Sequence, residues 1–161
     1  RSGVQKITSK DQTYFAATQK YKTVGATDEV KEGPNYVQVT DNRGTEAGWS
    51  LKVKQEGQFK STSGKELTGA AITFKNGNVV TASDSGKPTG PATITLNSDG
   101  SQSDVMSAAK GNGAGTYLFD WGTDATTAAK SIELTVPGST TKYAEKYATK
   151  LTWTLTDAPG N

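Results

Sequence analysis

Strict alternation of apolar and polar residues recurs in seven separate stretches, and nothing else in the sequence restricts the fold as much. Val37 and Val39 alternate with Tyr36, Gln38 and Thr40. Trp49, Leu51 and Val53 alternate with Ser50, Lys52 and Lys54. Ile72 and Phe74, then Ile94 and Leu96, alternate with threonines and Lys75. Tyr117, Phe119 and Trp121 share one parity with Thr116 and Asp120 on the other, where Leu118 breaks the polar side. Ile132, Leu134 and Val136 alternate with Ser131, Glu133 and Thr135. Leu151, Trp153 and Leu155 alternate with Thr152, Thr154 and Thr156. A period of two puts each apolar set on one strand face. Half-buried strands of this kind form antiparallel sheets packed face to face. The expected fold is an all-β, antiparallel β-sandwich with long irregular loops.

Turn chemistry divides the strands. Asn76-Gly77 between two strand-like runs predicts a two-residue hairpin. Asp99-Gly100 predicts a turn after Leu96, and Pro137-Gly138 ends the run at Val136. Pro88 and Pro91 bracket the approach to Thr93. Gly111-Asn112-Gly113-Ala114-Gly115 is too flexible to hold a structure by itself. Ser103–Ala109 is the stretch that suits one short helix after a Ser or Asp cap. Tyr143 and Tyr147 have i, i+4 spacing, yet they share strand parity with Leu151, Trp153 and Leu155, which favours a long strand or a strand entry. Residues 1–33 carry scattered charge and predict an edge strand and a loop. The 161 residues are read as a single domain, 1–161.

Composition excludes much chemistry. There is no Cys and no His, so thiolate or imidazole ligands, disulfides and a Ser-His-Asp triad are absent. Leu, Ile, Val and Phe number 25, which is sparse for a globular chain, but the net charge of +2 lacks the imbalance of a disordered one. Thr, also with 25 residues, supplies β-branched strand surface instead. Nucleic acid is not an expected partner at this charge. No apolar run reaches the roughly 18–20 residues of a membrane span. The first residues do not read as a signal peptide, and a cleaved one before them is compatible with the sequence.

The echo between Trp49-Ser50-Leu51 and Trp153-Thr154-Leu155 resembles the paired signature of the WxL domain of Gram-positive surface proteins. Val39-Thr40-Asp41-Asn42-Arg43-Gly44 followed by Gly48-Trp49-Ser50-Leu51 resembles its Asp-x-Arg and Gly-Trp-x-Leu block. Lys65–Ala70 resembles the entry to the next strand, and Gly113–Tyr117 the glycine-rich approach to an aromatic strand. Tyr147–Leu155 with Asp157-Ala158-Pro159 closely matches the C-terminal block. The resemblance covers about residues 36–159, while residues 1–33 match loosely. It implies a secreted, non-catalytic domain at the cell wall that binds peptidoglycan or another wall polysaccharide non-covalently. Its implied alternative is an adhesin or protein-interaction module for another surface protein or an extracellular host or plant ligand. No sorting motif with an apolar span and basic tail is visible, so covalent anchoring is not expected.

The site candidates divide between core and ligand. Trp49, Leu51, Trp153 and Leu155 either specify the strand cores or stack on sugar; the core reading is preferred. On that reading Trp153→Ala costs roughly 3–5 kcal/mol. Tyr117 and Trp121 are candidates to meet a ligand, with Trp121, next to Gly122, the Trp expected to be partly exposed. Asp41 and Arg43 either bind a ligand through charge or make a structural ion pair, the preferred reading. Asp84, Asn97, Asp99, Asp104, Asp120 and Asp124 lack calcium-loop spacing and are read as turn chemistry. No catalytic residue, metal or cofactor is expected. The lysines, Lys52, Lys54, Lys60, Lys65, Lys75, Lys142, Lys146 and Lys150 among them, form either a solvated surface or a face for anionic polymer.

Overall fold

The computed structural model describes residues 4, 9–22, 30–83 and 86–160. In chain order its strands are β1 (Gln12–Phe15), β2 (Gln19–Lys22), β3 (Val30–Gly33), β4 (Asn35–Asp41), β5 (Trp49–Gln55), β6 (Lys60–Ser61), β7 (Ala71–Phe74) and β8 (Gly77–Val80). They continue with β9 (Ile94–Thr95), β10 (Gln102–Ala108), β11 (Gly115–Trp121), β12 (Ile132–Val136), β13 (Tyr147–Ala148) and β14 (Leu151–Thr156); α1 (Ala125–Ala128) lies between β11 and β12. The sheets run β1-β12-β7-β9, β10-β5-β14 and β4-β11-β8, with two-stranded ribbons β13-β6 and β2-β3. Among the described residues, every pairing between these strands is antiparallel. The all-β sandwich expected from alternation is the observed architecture.

The core is where the inward faces of the three larger sheets meet. Trp49, Leu51 and Val53 of β5 join Tyr117, Phe119 and Trp121 of β11, Val39 of β4, and Ile72 and Phe74 of β7 in one buried cluster. Each of those sets is a single parity of its strand, so the sequence period becomes the packing directly. A smaller cluster of Leu67, Ala70 and Val136 packs with Tyr14, Phe59 and Tyr147 at one end. β1 forms the predicted N-terminal edge, pairing with β12 from Gln12↔Val136 to Phe15↔Glu133.

Three local expectations are corrected. Asn76-Gly77 does not close a hairpin: β7 pairs with β12 and β9, whereas β8 pairs with β11. Asn76 takes the left-handed conformation (φ 57), but Gly77 does not, so the type I′ geometry fails. Gly77 is needed instead for close approach, because a Cβ there would lie 2.5 Å from Cε1 of Phe119. The chain thus crosses from one sheet to another over the Phe119 ring.

Ser103–Ala109 is not a helix; Gln102–Ala108 is β10. The register with β5 shifts between Asp104 and Met106, a bulge that leaves Val105 as the extra residue. Val105 and Met106 are both buried. Two adjacent apolar residues broke the alternation, which made a bulged strand resemble a helix. The helix is α1, where Asp124 accepts from the Thr127 N–H at 2.7 Å and the Thr127 hydroxyl accepts from the Asp124 N–H at 3.2 Å.

The long strand suggested by the parity of Tyr143–Leu155 is divided. Tyr147–Ala148 pairs with β6 and Leu151–Thr156 with β5. Ahead of them the backbone bends, and the Tyr143 N–H donates to the Tyr147 hydroxyl at 2.8 Å.

Candidate functional site

The two Trp-x-Leu signatures have different environments. β5 is the central strand of its sheet, so Trp49 and Leu51 are covered on both sides and buried. β14 is the edge strand. Its Trp153 and Leu155 point to the core side, opposite Val53 and Leu51, but the sheet ends there. Trp153 is 37% exposed and Leu155 53%. Trp153 still packs on Trp121 and Phe74, with ring centroids 6.0 and 6.4 Å away. Both pairs therefore face inward, but only the first is buried, so the expectation of a core position is corrected for Trp153 and Leu155.

The expectation for Trp121 is also corrected. Its ring is 2% exposed, packed between Phe74 and Phe119. Gly122 does not end the strand in solvent; α1 folds against it, and a Cβ on Gly122 would lie 2.7 Å from the Ala128 backbone. Tyr117 is fully buried, with its hydroxyl donating to the Ala114 carbonyl at 2.7 Å. Neither ring presents a face to a ligand.

Asp41 and Arg43 make a structural clamp. Arg43 Nε and Nη2 donate to the two oxygens of Asp41 at 2.9 and 3.0 Å, and the Arg43 backbone N–H adds a third bond at 3.1 Å. Arg43 Nη2 also donates to the Gly48 carbonyl at 2.8 Å, which closes the loop leading into Trp49. The hydrogen bonds from Arg43 hold the Asp41 carboxyl below its ordinary range, and Asp41 raises Arg43 in return.

The loop acids take several roles. Asp99 accepts from the Ser101 N–H in an Asx turn, and Asp124 caps α1. Asp104 meets Lys52 at 3.5 Å. Asp120 lies on the outer face of β11, where burial raises its carboxyl and leaves Oδ1 without a hydrogen-bond partner. Asp84 lies outside the described residues. Among the described residues no group of three or more acids is placed to hold a metal ion.

Among the described residues, a polar cleft of ≈ 550 Å³ lies between the Lys65–Gly69 turn and the Pro137–Tyr143 loop. Gly69 (φ 79) lets the first segment turn against Pro137, whose Cγ would be 2.9 Å from an added Cβ. Thr140 ties the second segment down by donating to the Thr68 carbonyl, and Lys142 Nζ donates to the carbonyls of Pro137 and Thr140. Glu145 anchors the far side, accepting from Thr62 and Ser63 hydroxyls. Those bonds, Ser63 first, hold its carboxyl low. Thr68, Ser139 and Thr141 line the walls, and at the rim Lys65 Nζ sits 3.9 Å from the centroid of the exposed Tyr143 ring. The sequence marks Tyr143 only by its i, i+4 spacing with Tyr147 and its strand parity. The overlooked signal is its place beside Ser139-Thr140-Thr141, a loop cluster after Pro137-Gly138.

A second depression, on the outer face of β4-β11-β8, is apolar and lined in part by Gln38, Val80 and Leu118. Leu118, the residue that interrupts the polar parity of β11, lines it. The lysines opposite the β5 core face solvent as expected, but Lys52 pairs with Asp104 and Lys54 with Glu56, at 3.5 and 3.7 Å.

Fold and surface together define an all-β sandwich module with a hydroxyl-lined cleft and an aromatic edge strand. The chain belongs to the WxL domain family, described as a surface cell wall-binding domain, whose model matches residues 2–159. That match extends the resemblance through most of the N-terminal segment. It indicates a cell-surface location and a cell-wall partner. No curated protein and no solved structure matches significantly. No helix among the described residues is long and apolar enough to cross a membrane.

Proposed function

We propose that this domain is a secreted, non-catalytic module that holds on to the cell wall by binding peptidoglycan non-covalently. The observation that carries this reading is the Lys65–Tyr143 rim above hydroxyl-lined walls. An exposed Tyr ring offers a face to the C–H side of a sugar with little rotamer entropy lost. The hydroxyls of Thr68, Ser139 and Thr141 both donate and accept, as sugar hydroxyls require. Lys65 supplies a cation for the carboxylates of the wall peptide.

Sedimentation of the folded domain with purified insoluble peptidoglycan tests this. Tyr143→Ala and Lys65→Ala should each weaken binding about 10-fold, the loss of about 1.4 kcal/mol. Binding should weaken without vanishing toward ~1 M salt, where screening reaches ~3 Å but stacking persists. Wild-type binding by both variants, or no binding by the folded domain, would refute the assignment. A protein ligand is the second reading, favoured by the half-exposed Trp153 and Leu155. Retained capture of a surface protein without peptidoglycan binding would select it.

A further inference from the structure

Five acidic residues lie on strands among the described residues, and four of them have partners. Asp41 meets Arg43, Asp104 meets Lys52 and Glu133 meets Lys75, while Glu32 accepts from the Thr18 hydroxyl at 3.3 Å. The fifth, Asp120, stands apart. Its Oδ1 is buried without a hydrogen bond, and burial raises its carboxyl with no charged neighbour contributing. Asn78 lies beside it in the register and would be the natural donor. Its Nδ2 is instead committed to the carbonyls of Asn76, Asp120 and Gly122, each at 3.1 Å. A half-buried carboxylate left unmatched weakens the fold, which is why the other four are paired.

The surroundings of Asp120 match one kind of partner. It faces outward from β11, opposite the buried parity of Tyr117, Phe119 and Trp121. Register sets Tyr36 of β4 directly across from it. Residues so paired have Cβ atoms about 4.5–5.5 Å apart, so the exposed Tyr36 ring stands next to the carboxylate. The following row on the same face is Gln38, Leu118 and Val80. It lies about 7 Å along the strands. That row lines the apolar depression of ≈ 560 Å³. The remaining outward residues of β4, β11 and β8 are uncharged, so Asp120 gives this face its single charge.

We propose that this face binds an aliphatic ammonium, the free side-chain amine of a diamino acid in the cell-wall peptide. The ammonium completes the ion pair that Asp120 lacks. The Tyr36 ring offers its π face to the same cation. The stem behind the ammonium lies on Leu118 and Val80, as the four-carbon stem of a lysine covers apolar surface. A sugar hydroxyl would leave the carboxylate charge unmatched, and an anionic polymer would be repelled by it. The wall as the source of the amine rests on the function proposed above; the ammonium chemistry does not.

Magnetic resonance titration of the labelled domain with a blocked Ala-Lys-Ala tripeptide tests the site. The tripeptide should shift the amide signals of Tyr36, Leu118 and Asp120 with a Kd of about 1 mM. The same tripeptide acetylated on its lysine amine should bind about 10-fold more weakly, and so should the unmodified tripeptide to Asp120→Asn. The melting temperature of Asp120→Asn should not fall, which separates lost binding from lost folding. Tyr36→Ala should bind several-fold more weakly, and Tyr143→Ala as tightly as wild type. In sedimentation, acetylating the free amines of purified peptidoglycan should weaken binding of the wild-type domain and leave that of Asp120→Asn unchanged. No tripeptide binding at about 10 mM, or equal binding by Asp120→Asn, would overturn the ammonium site. Tripeptide binding with no effect of wall acetylation, or with no wall binding at all, would keep the ammonium site and overturn the wall as its source.

Discussion

The indole N–H of Trp49 donates to the carbonyl oxygen of Gly113 at 3.0 Å, and Gly113 lacks a side chain where that indole sits. A Cβ on Gly113 would lie 2.6 Å from Nε1 of Trp49 and 2.4 Å from Cβ of Ala108. The glycine-rich run before β11, flexible on its own, is thus ordered by the first Trp of the signature. Gly111, Gly113 and Gly115 all hold positive φ. The Gly-Trp-x-Leu block and the distant glycine run act as one structural unit.

Gly113→Ala should therefore destabilise the fold by about 2 kcal/mol or more, through both strained φ and overlap with the indole. Trp49→Phe should cost about 1–3 kcal/mol, since it leaves the buried Gly113 carbonyl unmet. Urea denaturation measures both. A neutral Gly113→Ala would mean the run does not take this conformation in solution.

Truncation of the two signature tryptophans should give unequal losses. Trp49→Ala should cost about 3–5 kcal/mol, as for a fully buried ring. Trp153→Ala should cost only about 1–2 kcal/mol, because much of that ring already faces solvent at the sheet edge. This revises the larger loss expected for Trp153 from its apolar strand parity. Equal losses in chemical denaturation would contradict this account.

Asp120→Asn should stabilise the domain at neutral pH. Burial raises the Asp120 carboxyl above its ordinary 3.8, so the charged form weakens the fold. The penalty is absent where Asp120 is protonated in both folded and unfolded chains, and grows as pH rises from 3.8 through the raised folded value. The gain should be less than about 1 kcal/mol, since solvent still reaches and screens the group. Thermal melts should show it at about pH 7 and lose it at about pH 3. A lower melting temperature for the variant at neutral pH would contradict this account.

Acid should act in the opposite sense through the paired carboxylates. Hydrogen bonds from Arg43, Thr152, Ser101, Thr127 and Ser63 lower Asp41, Glu56, Asp99, Asp124 and Glu145 respectively. Their stabilisation is present above the ordinary values of 3.8 for Asp and 4.5 for Glu, and is lost as pH falls through the lowered folded values. Arg43→Met should lower the melting temperature at about pH 7, and its deficit should shrink below about pH 3 as Asp41 protonates in both proteins. A deficit independent of pH would assign Arg43 a packing role only.

Strand existence, strand faces and the family were legible in the sequence, because a side-chain period of two survives any arrangement of the sheets. Val39, Leu51, Phe74, Phe119 and Trp121 all point inward as their parity requires. The Asp41–Arg43 pair was legible because its members are two residues apart and need no distant partner. What lay beyond the sequence was strand placement. Parity says which way Trp153 points but not whether a neighbouring strand covers it, and coverage depends on β14 being an edge. Asn76-Gly77 favours a local turn, but the packing of Phe119 against Gly77 draws β7 and β8 into different sheets. The cleft at Tyr143 exists only because segments some seventy residues apart meet through the Thr140–Thr68 bond. Local alternation determined which residues are hydrophobic faces; long-range pairing, which no local pattern encodes, decided which faces stay open.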